Sequence, residues 1–156
     1  RKLCEGLGLE DARTVLQSGN LVFRSGVRSA RRMEQVLEAE AERRLALDTD
    51  IVVRSAAEWD EAVARNPLRR EAERLPSRFI VMFLKDMPDR GAAGRLRAMV
   101  TGPEQAVLAG SQAYLVYPDG FARSRLTIAR LEATLGTRAT GRNWNTVLKL
   151  AGLVGR

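Results

Sequence analysis

The sequence contains no histidine, a single cysteine (Cys4) and only two Trp, two Tyr and four Phe among 156 residues. Each shortage removes a class of chemistry. Without His and with one Cys, the chain cannot assemble a zinc-type ligand cluster or a Cys–His nucleophile pair. One cysteine cannot close an internal disulfide, so a cytoplasmic, reducing setting is expected. No apolar run approaches the ~20 residues that span a bilayer, so no membrane partner is expected. The glycines form no phosphate-binding G-x-x-x-x-G-K-[ST] loop, no complete G-x-G-x-x-G and no G-x-S-x-G elbow. Only three of the 26 basic residues are Lys (Lys2, Lys85 and Lys149). No cofactor is implied.

Arginine, by contrast, is abundant. The net charge is +7, with 45% hydrophobic and 29% charged residues, the balance of a globular chain. The excess is uneven. Residues 1–122 carry 19 basic and 18 acidic side chains; residues 123–156 carry seven basic side chains and one acidic, Glu132. A cationic segment of this kind suits a nucleic acid or a phosphorylated small molecule. An Arg-for-Lys skew in a chain rich in Ala, Leu and Gly is also what a GC-rich genome produces.

Hydrophobic periodicity places the elements. Leu3 and Leu7 end a helix at Gly8. Residues 13–24 hold two β-rich runs around Ser18-Gly19-Asn20, a hairpin with a tight turn. Met33, Leu37, Ala41 and Leu45 form one buried stripe on a helix over 29–46. Ile51-Val52-Val53 reads as a short strand. Ser55 and Glu58 make a capping box for a helix to about Arg65, and residues 65–78 form an Arg-rich loop or short exposed helix. Phe79–Leu84 is a continuous apolar run, hence a central strand. A helix over 90–100, strands at 104–109 and 112–117, a helix over 124–135, a strand at 137–142 and a helix over 146–154 capped by Asn145 follow.

The order hairpin, helix, strand occurs twice. The second copy, preceded by a strand and a helix, reads β-α-β-β-α-β. That is the ferredoxin-like order, with an antiparallel sheet and two helices on one face. The expected fold is therefore α+β, with two ferredoxin-like halves. Residues 1–54 form the first, 55–78 a helix and basic linker, and 79–156 the second with its C-terminal helix. The first copy lacks its opening strand, so the repeat predicts a β-strand ahead of Arg1.

Two stretches carry this pattern together: Thr14-Val-Leu-Gln-Ser-Gly-Asn-Leu-Val-Phe23 and Thr140-Gly-Arg-Asn-Trp-Asn-Thr-Val-Leu-Lys-Leu150. Both resemble the bacterial family catalogued as domain of unknown function 1697, in the right order along essentially the whole chain. The resemblance implies two ferredoxin-like halves and no activity. It also implies an initial strand with a Gly-rich turn, consistent with the strand expected ahead of Arg1. Gly141 stands where the family more often has Ala.

Two spots carry candidate binding residues. Ser18, Gly19 and Asn20 offer backbone donors, a hydroxyl and an amide that could hold an anion; the same residues suit a hairpin turn on backbone angles alone. Arg142, Asn143, Trp144 and Asn145 precede a helix N-terminus, which attracts anions. There Arg142 would supply a bidentate fork and Trp144 a stacking face. The structural alternative puts Trp144 in the core, Asn145 at the cap, and Arg142 and Asn143 on backbone groups. Asp48 and Asp50 sit at a helix–strand junction, where polar turn residues are expected, and no metal site is assigned.

Three functional readings follow. A binding module for nucleic acid or another phosphate-bearing ligand would use the basic C-terminal segment. RNA binding would need stacking aromatics such as Phe79, Phe83, Tyr114 and Tyr117 exposed on a sheet face. An enzyme or small-ligand sensor would have a pocket between the halves lined by Ser18, Asn20, Arg142 and Asn143; no general base is evident, so no catalytic residue is named. A structural or protein-interaction domain would form a homodimer through a sheet edge.

Overall fold

The computed structural model describes residue 4 and residues 6–16 and 19–154. The chain is an α+β protein with two antiparallel sheets. The smaller sheet pairs β1 (Glu10–Val15) with β2 (Asn20–Arg24). The helix α1 (Ala30–Leu45) follows, its first turn capped by the Ser29 hydroxyl, which accepts from Arg32 N–H. Met33, Leu37 and Ala41 are buried, as their four-residue spacing predicts. Leu45 departs from the stripe and is 56% exposed, because the helix ends there and Ala46 turns away in the left-handed region at φ 51°.

Residues 51–53 are not a strand. Their N–H groups find carboxylates instead of a ladder: Ile51 N–H donates to Glu38 Oε1 at 2.8 Å and Val53 N–H to Glu34 Oε1 at 3.0 Å. A β-branched run has strand propensity, but a ladder needs a partner strand, and here α1 side chains satisfy those two backbone donors.

The capping box forms as expected and starts α2 (Ala56–Ala64). The Arg-rich stretch is a short helix α3 (Arg69–Arg74) and a 3₁₀ turn (Pro76–Arg78). The larger sheet contains β3 (Phe79–Leu84), β4 (Gln105–Ala109), β5 (Gln112–Val116) and β6 (Ala139–Asn143), in the order β4-β5-β3-β6 with every pair antiparallel. The helices α4 (Ala92–Met99) and α5 (Ile128–Leu135) each carry the chain across one intervening strand.

Alternation along the strands sorts the core into two layers. Met82, Leu84, Ala113, Leu115 and Tyr117 pack with Ala92 and Leu96 of α4 and Leu131 and Leu135 of α5. Phe79, Val81, Phe83, Tyr114 and Val116 pack with Ala62 of α2, Ala72 of α3, and Trp144 and Val147 of the last helix, α6 (Trp144–Ala151). The helices α4 and α5 thus share one face of this sheet, and α2, α3 and α6 cover the other. This explains why Phe79–Leu84 is apolar at every position. Among the described residues, no helix is long and apolar enough to cross a membrane.

Candidate functional site

The structure brings one part of each candidate spot together. Gly19 sits in the β1–β2 turn at φ 67°, a conformation glycine adopts without penalty. Arg142 reaches it from β6. Its Nε donates to Asn20 Oδ1 at 2.6 Å and one terminal nitrogen donates to the Gly19 carbonyl at 3.2 Å. The other terminal nitrogen donates to Thr140 Oγ1 at 2.7 Å and the Gly141 carbonyl at 2.8 Å. All three guanidinium nitrogens are thus committed to protein oxygens. Burial pushes the Arg142 pKa down. Asn20 also donates from Nδ2 to the Val15 carbonyl at 3.3 Å, which braces the turn. Ser18 lies outside the described residues.

The remaining residues of the second spot serve the start of α6. Asn143, not Asn145, is the cap: its Oδ1 accepts from Thr146 N–H at 2.9 Å, so the helix begins at Trp144. Trp144 is 8% exposed and meets Phe79 edge-on at 5.4 Å. Asn145 is exposed in the first turn. Gly141 also has a local consequence. A methyl there would sit 3.2 Å from Ile80 Cγ2, a tight contact that the Ile80 side chain would have to accommodate.

The other charged residues at the junction form a lock. Asp50 accepts ion pairs from Lys85 and Arg138, each at 3.2 Å, and Lys85 also contacts Glu38. Arg54 was not singled out by the sequence. It donates to the carbonyls of Val53, Leu84 and Ser111 at 3.1, 2.6 and 3.2 Å and lies 5.9 Å from the centre of the Phe83 ring. Burial lowers its pKa, while Glu58 and Glu34 oppose that shift. Among the described residues, no group of three His, Cys, Asp or Glu side chains could hold a metal ion.

A different place in the fold leaves basic groups uncommitted. A cleft of about 680 Å³ opens between the segment leading into β4 and the loop after β5, lined by Arg78, Glu104, Asp119, Arg123, Ser124 and Arg125 among others. The loop is held at several points. Gly120 N–H donates to the Tyr117 carbonyl at 3.0 Å, Ser124 N–H to the Phe121 carbonyl at 3.2 Å, and Arg78 to the Pro118 carbonyl. The buried Tyr117 hydroxyl donates to the Leu126 carbonyl at 2.9 Å and closes the loop. Ser124 donates to Glu104 Oε1 at 2.7 Å and accepts from Leu126 N–H at 3.1 Å. Among the described residues, the guanidinium groups of Arg123 and Arg125 have no hydrogen-bond or ion-pair partner. The sequence signal was the basic excess beyond residue 122, but it did not single out these two.

The architecture is that of an α+β protein with a helix-covered four-stranded sheet and a preformed, Arg-rimmed cleft at one end. The chain belongs to the bacterial family described as Protein of unknown function (DUF1697), which matches residues 1–114. No curated protein and no solved structure matches it.

Proposed function

We propose that this protein is a binding module for a small phosphate-bearing ligand, held at the Arg78–Arg123–Arg125 cleft. The observation that carries this reading is the pair of uncommitted guanidinium groups on a braced loop. Arg is suited to phosphate because its planar fork donates two parallel hydrogen bonds. The volume lies within the roughly 300–1,000 Å³ of small-molecule sites. The cleft is mixed in charge. Glu104 is engaged by Ser124, while Asp119 faces solvent and is available to a hydroxyl or amino group.

A large nucleic-acid platform fits less well. Phe79, Phe83, Tyr114 and Tyr117 are each at most 1% exposed, so none offers the stacking face that single strands use. A pocket between the halves fits less well too, because Arg142 is spent on the Gly19–Asn20 turn. We read the fold itself as two ferredoxin-like halves, 1–54 and 79–156, joined by 55–78. In support, the strand order of the larger sheet is that of a split βαβ unit. The buried lone Cys4 fits a reducing cytoplasm.

Calorimetric titration with inorganic pyrophosphate tests the binding reading. Binding should weaken several-fold between about 50 and 200 mM salt, as expected of exposed charges. It should fall at least about tenfold in the Arg123→Ala/Arg125→Ala double variant, given the strength of charge-assisted bonds. Absence of binding at low salt, or binding indifferent to both substitutions, contradicts it.

A further inference from the structure

The larger sheet ends in two edge strands, β4 and β6, and only one is blocked. At β6, Lys85 N–H donates to the Arg138 carbonyl at 2.8 Å, which turns Arg138 toward β3 and the backbone of Ala139 and Gly141 outward. Side chains occupy both outward positions. Ala139 N–H donates to Glu132 Oε2 at 3.0 Å, and the Gly141 carbonyl accepts from Arg142 at 2.8 Å. At β4 the outward residues are Ala106 and Leu108. Leu84 N–H donates to the Ser111 carbonyl and Tyr117 N–H to the Arg78 carbonyl, both at 2.9 Å, so alternate residues of β5 bond to β3. Gln112, Tyr114 and Val116 then bond to Ala109, Val107 and Gln105. The N–H and C=O groups of Ala106 and Leu108 have no hydrogen-bond partner among the described residues. Edge strands are commonly protected by a charge, a proline or a bulge. Gln105-Ala-Val-Leu-Ala109 has no charge and no proline, and its ladder to β5 keeps an unbroken register.

We propose that β4 is an interface to a second copy of this chain, paired antiparallel about a two-fold axis at Val107, so that the two four-stranded sheets join edge to edge. The strand is complementary to itself in that register. Ala106 of each copy lies opposite Leu108 of the other, and each such pair exchanges both backbone bonds, which satisfies every free group. Val107 meets its own counterpart, a β-branched pair across the strands, and Gln105 meets Ala109, so no like charges are opposed. The inference stands apart from the phosphate-binding reading.

The test is sedimentation equilibrium of the full 156-residue chain over about 1 μM to 1 mM, the span of weak to moderate affinities. The mass should rise from 17.3 kDa toward twice that value. Ala106→Pro removes an outward N–H and leaves the β4–β5 ladder intact; it should weaken association about tenfold. Val107→Lys and Val107→Glu should each stay monomeric alone and form a dimer when mixed, because position 107 faces itself across the axis. Circular dichroism checks that the variants are folded. A reading that needs no variant comes from amide shifts of the parent: on concentration those of Ala106 and Leu108 should move, and those of Ala139 and Gly141 should not. A parent that stays at 17.3 kDa throughout overturns the proposal, as does self-association in which Ala106 and Leu108 are unmoved.

Discussion

Arg142 and Arg125 come from the same basic stretch of sequence, yet the fold uses them in opposite ways. Arg142 leaves β6 and meets four oxygens, two of them on the β1–β2 turn. Arg125 sits on the loop after β5 and its guanidinium meets none among the described residues. Arg138 resembles Arg142, since Asp50 and Glu132 face it. The difference lies in what the fold supplies opposite each side chain. Where acceptors converge, an arginine fastens two parts of the structure. Where they do not, on a braced loop beside a cleft, its hydrogen-bonding capacity remains available to a ligand. Charge density along a sequence cannot separate these cases.

The largest expected effect sharpens that contrast on the fastening side. Arg142→Ala should lower unfolding stability by about 2 kcal/mol, the scale of hydrogen bonds to a charged group, with pyrophosphate affinity unchanged. Chemical denaturation and calorimetry read the two quantities separately. An Arg142→Ala variant with parental stability and lost binding would invert the comparison.

The loop's own fastening is next. Tyr117→Phe removes the hydroxyl bond to Leu126 and should cost about 1 kcal/mol. It should also alter the alkaline limb of stability. Burial raises the phenol pKa of Tyr117, and of Tyr114, above the ordinary value of about 10. The unfolded chain therefore loses these protons first. The contribution is fully present below about pH 10 and is lost as pH rises further. Denaturation at successive pH values should show that fall in the parent and a shallower one in Tyr117→Phe.

A smaller effect separates the two asparagines of α6. Asn143→Ala removes the cap and should cost about 1 kcal/mol, while Asn145→Ala should stay within about 0.5 kcal/mol. Thermal melts of the two variants distinguish them, and equal losses would contradict the cap assignment.

Much of the fold was legible where its causes are local. The Ser55–Glu58 capping box, the adjacent strands expected at 104–109 and 112–117 and the apolar run of β3 depend on neighbours in sequence, and each forms as read. The start of α6 lies two residues ahead of the expected one because both asparagines are competent caps. Ile51–Val53 was misjudged for a different reason. Its strand-like composition is local, but Glu34 and Glu38, which bind its N–H groups, lie on the preceding helix. The candidate site followed the same division. Arg142 stands in the sequence as a candidate anion fork, but its partner Asn20 lies 122 positions away, so sequence does not show that the group is spent on the protein. Arg123 and Arg125 fell next to or inside a helix expected over 124–135. That helix begins only at Ile128, after Thr127 caps it, which leaves both arginines on the loop.

Amide chemical-shift mapping of the protein titrated with inorganic pyrophosphate tests the central claim most directly. Residues 119–126 and 101–104 should move together and saturably, with Gly19, Asn20 and Gly141 unmoved. Shifts concentrated at Gly19, Asn20 and Arg142, with the loop after β5 silent, would place the phosphate at the junction instead and contradict the account.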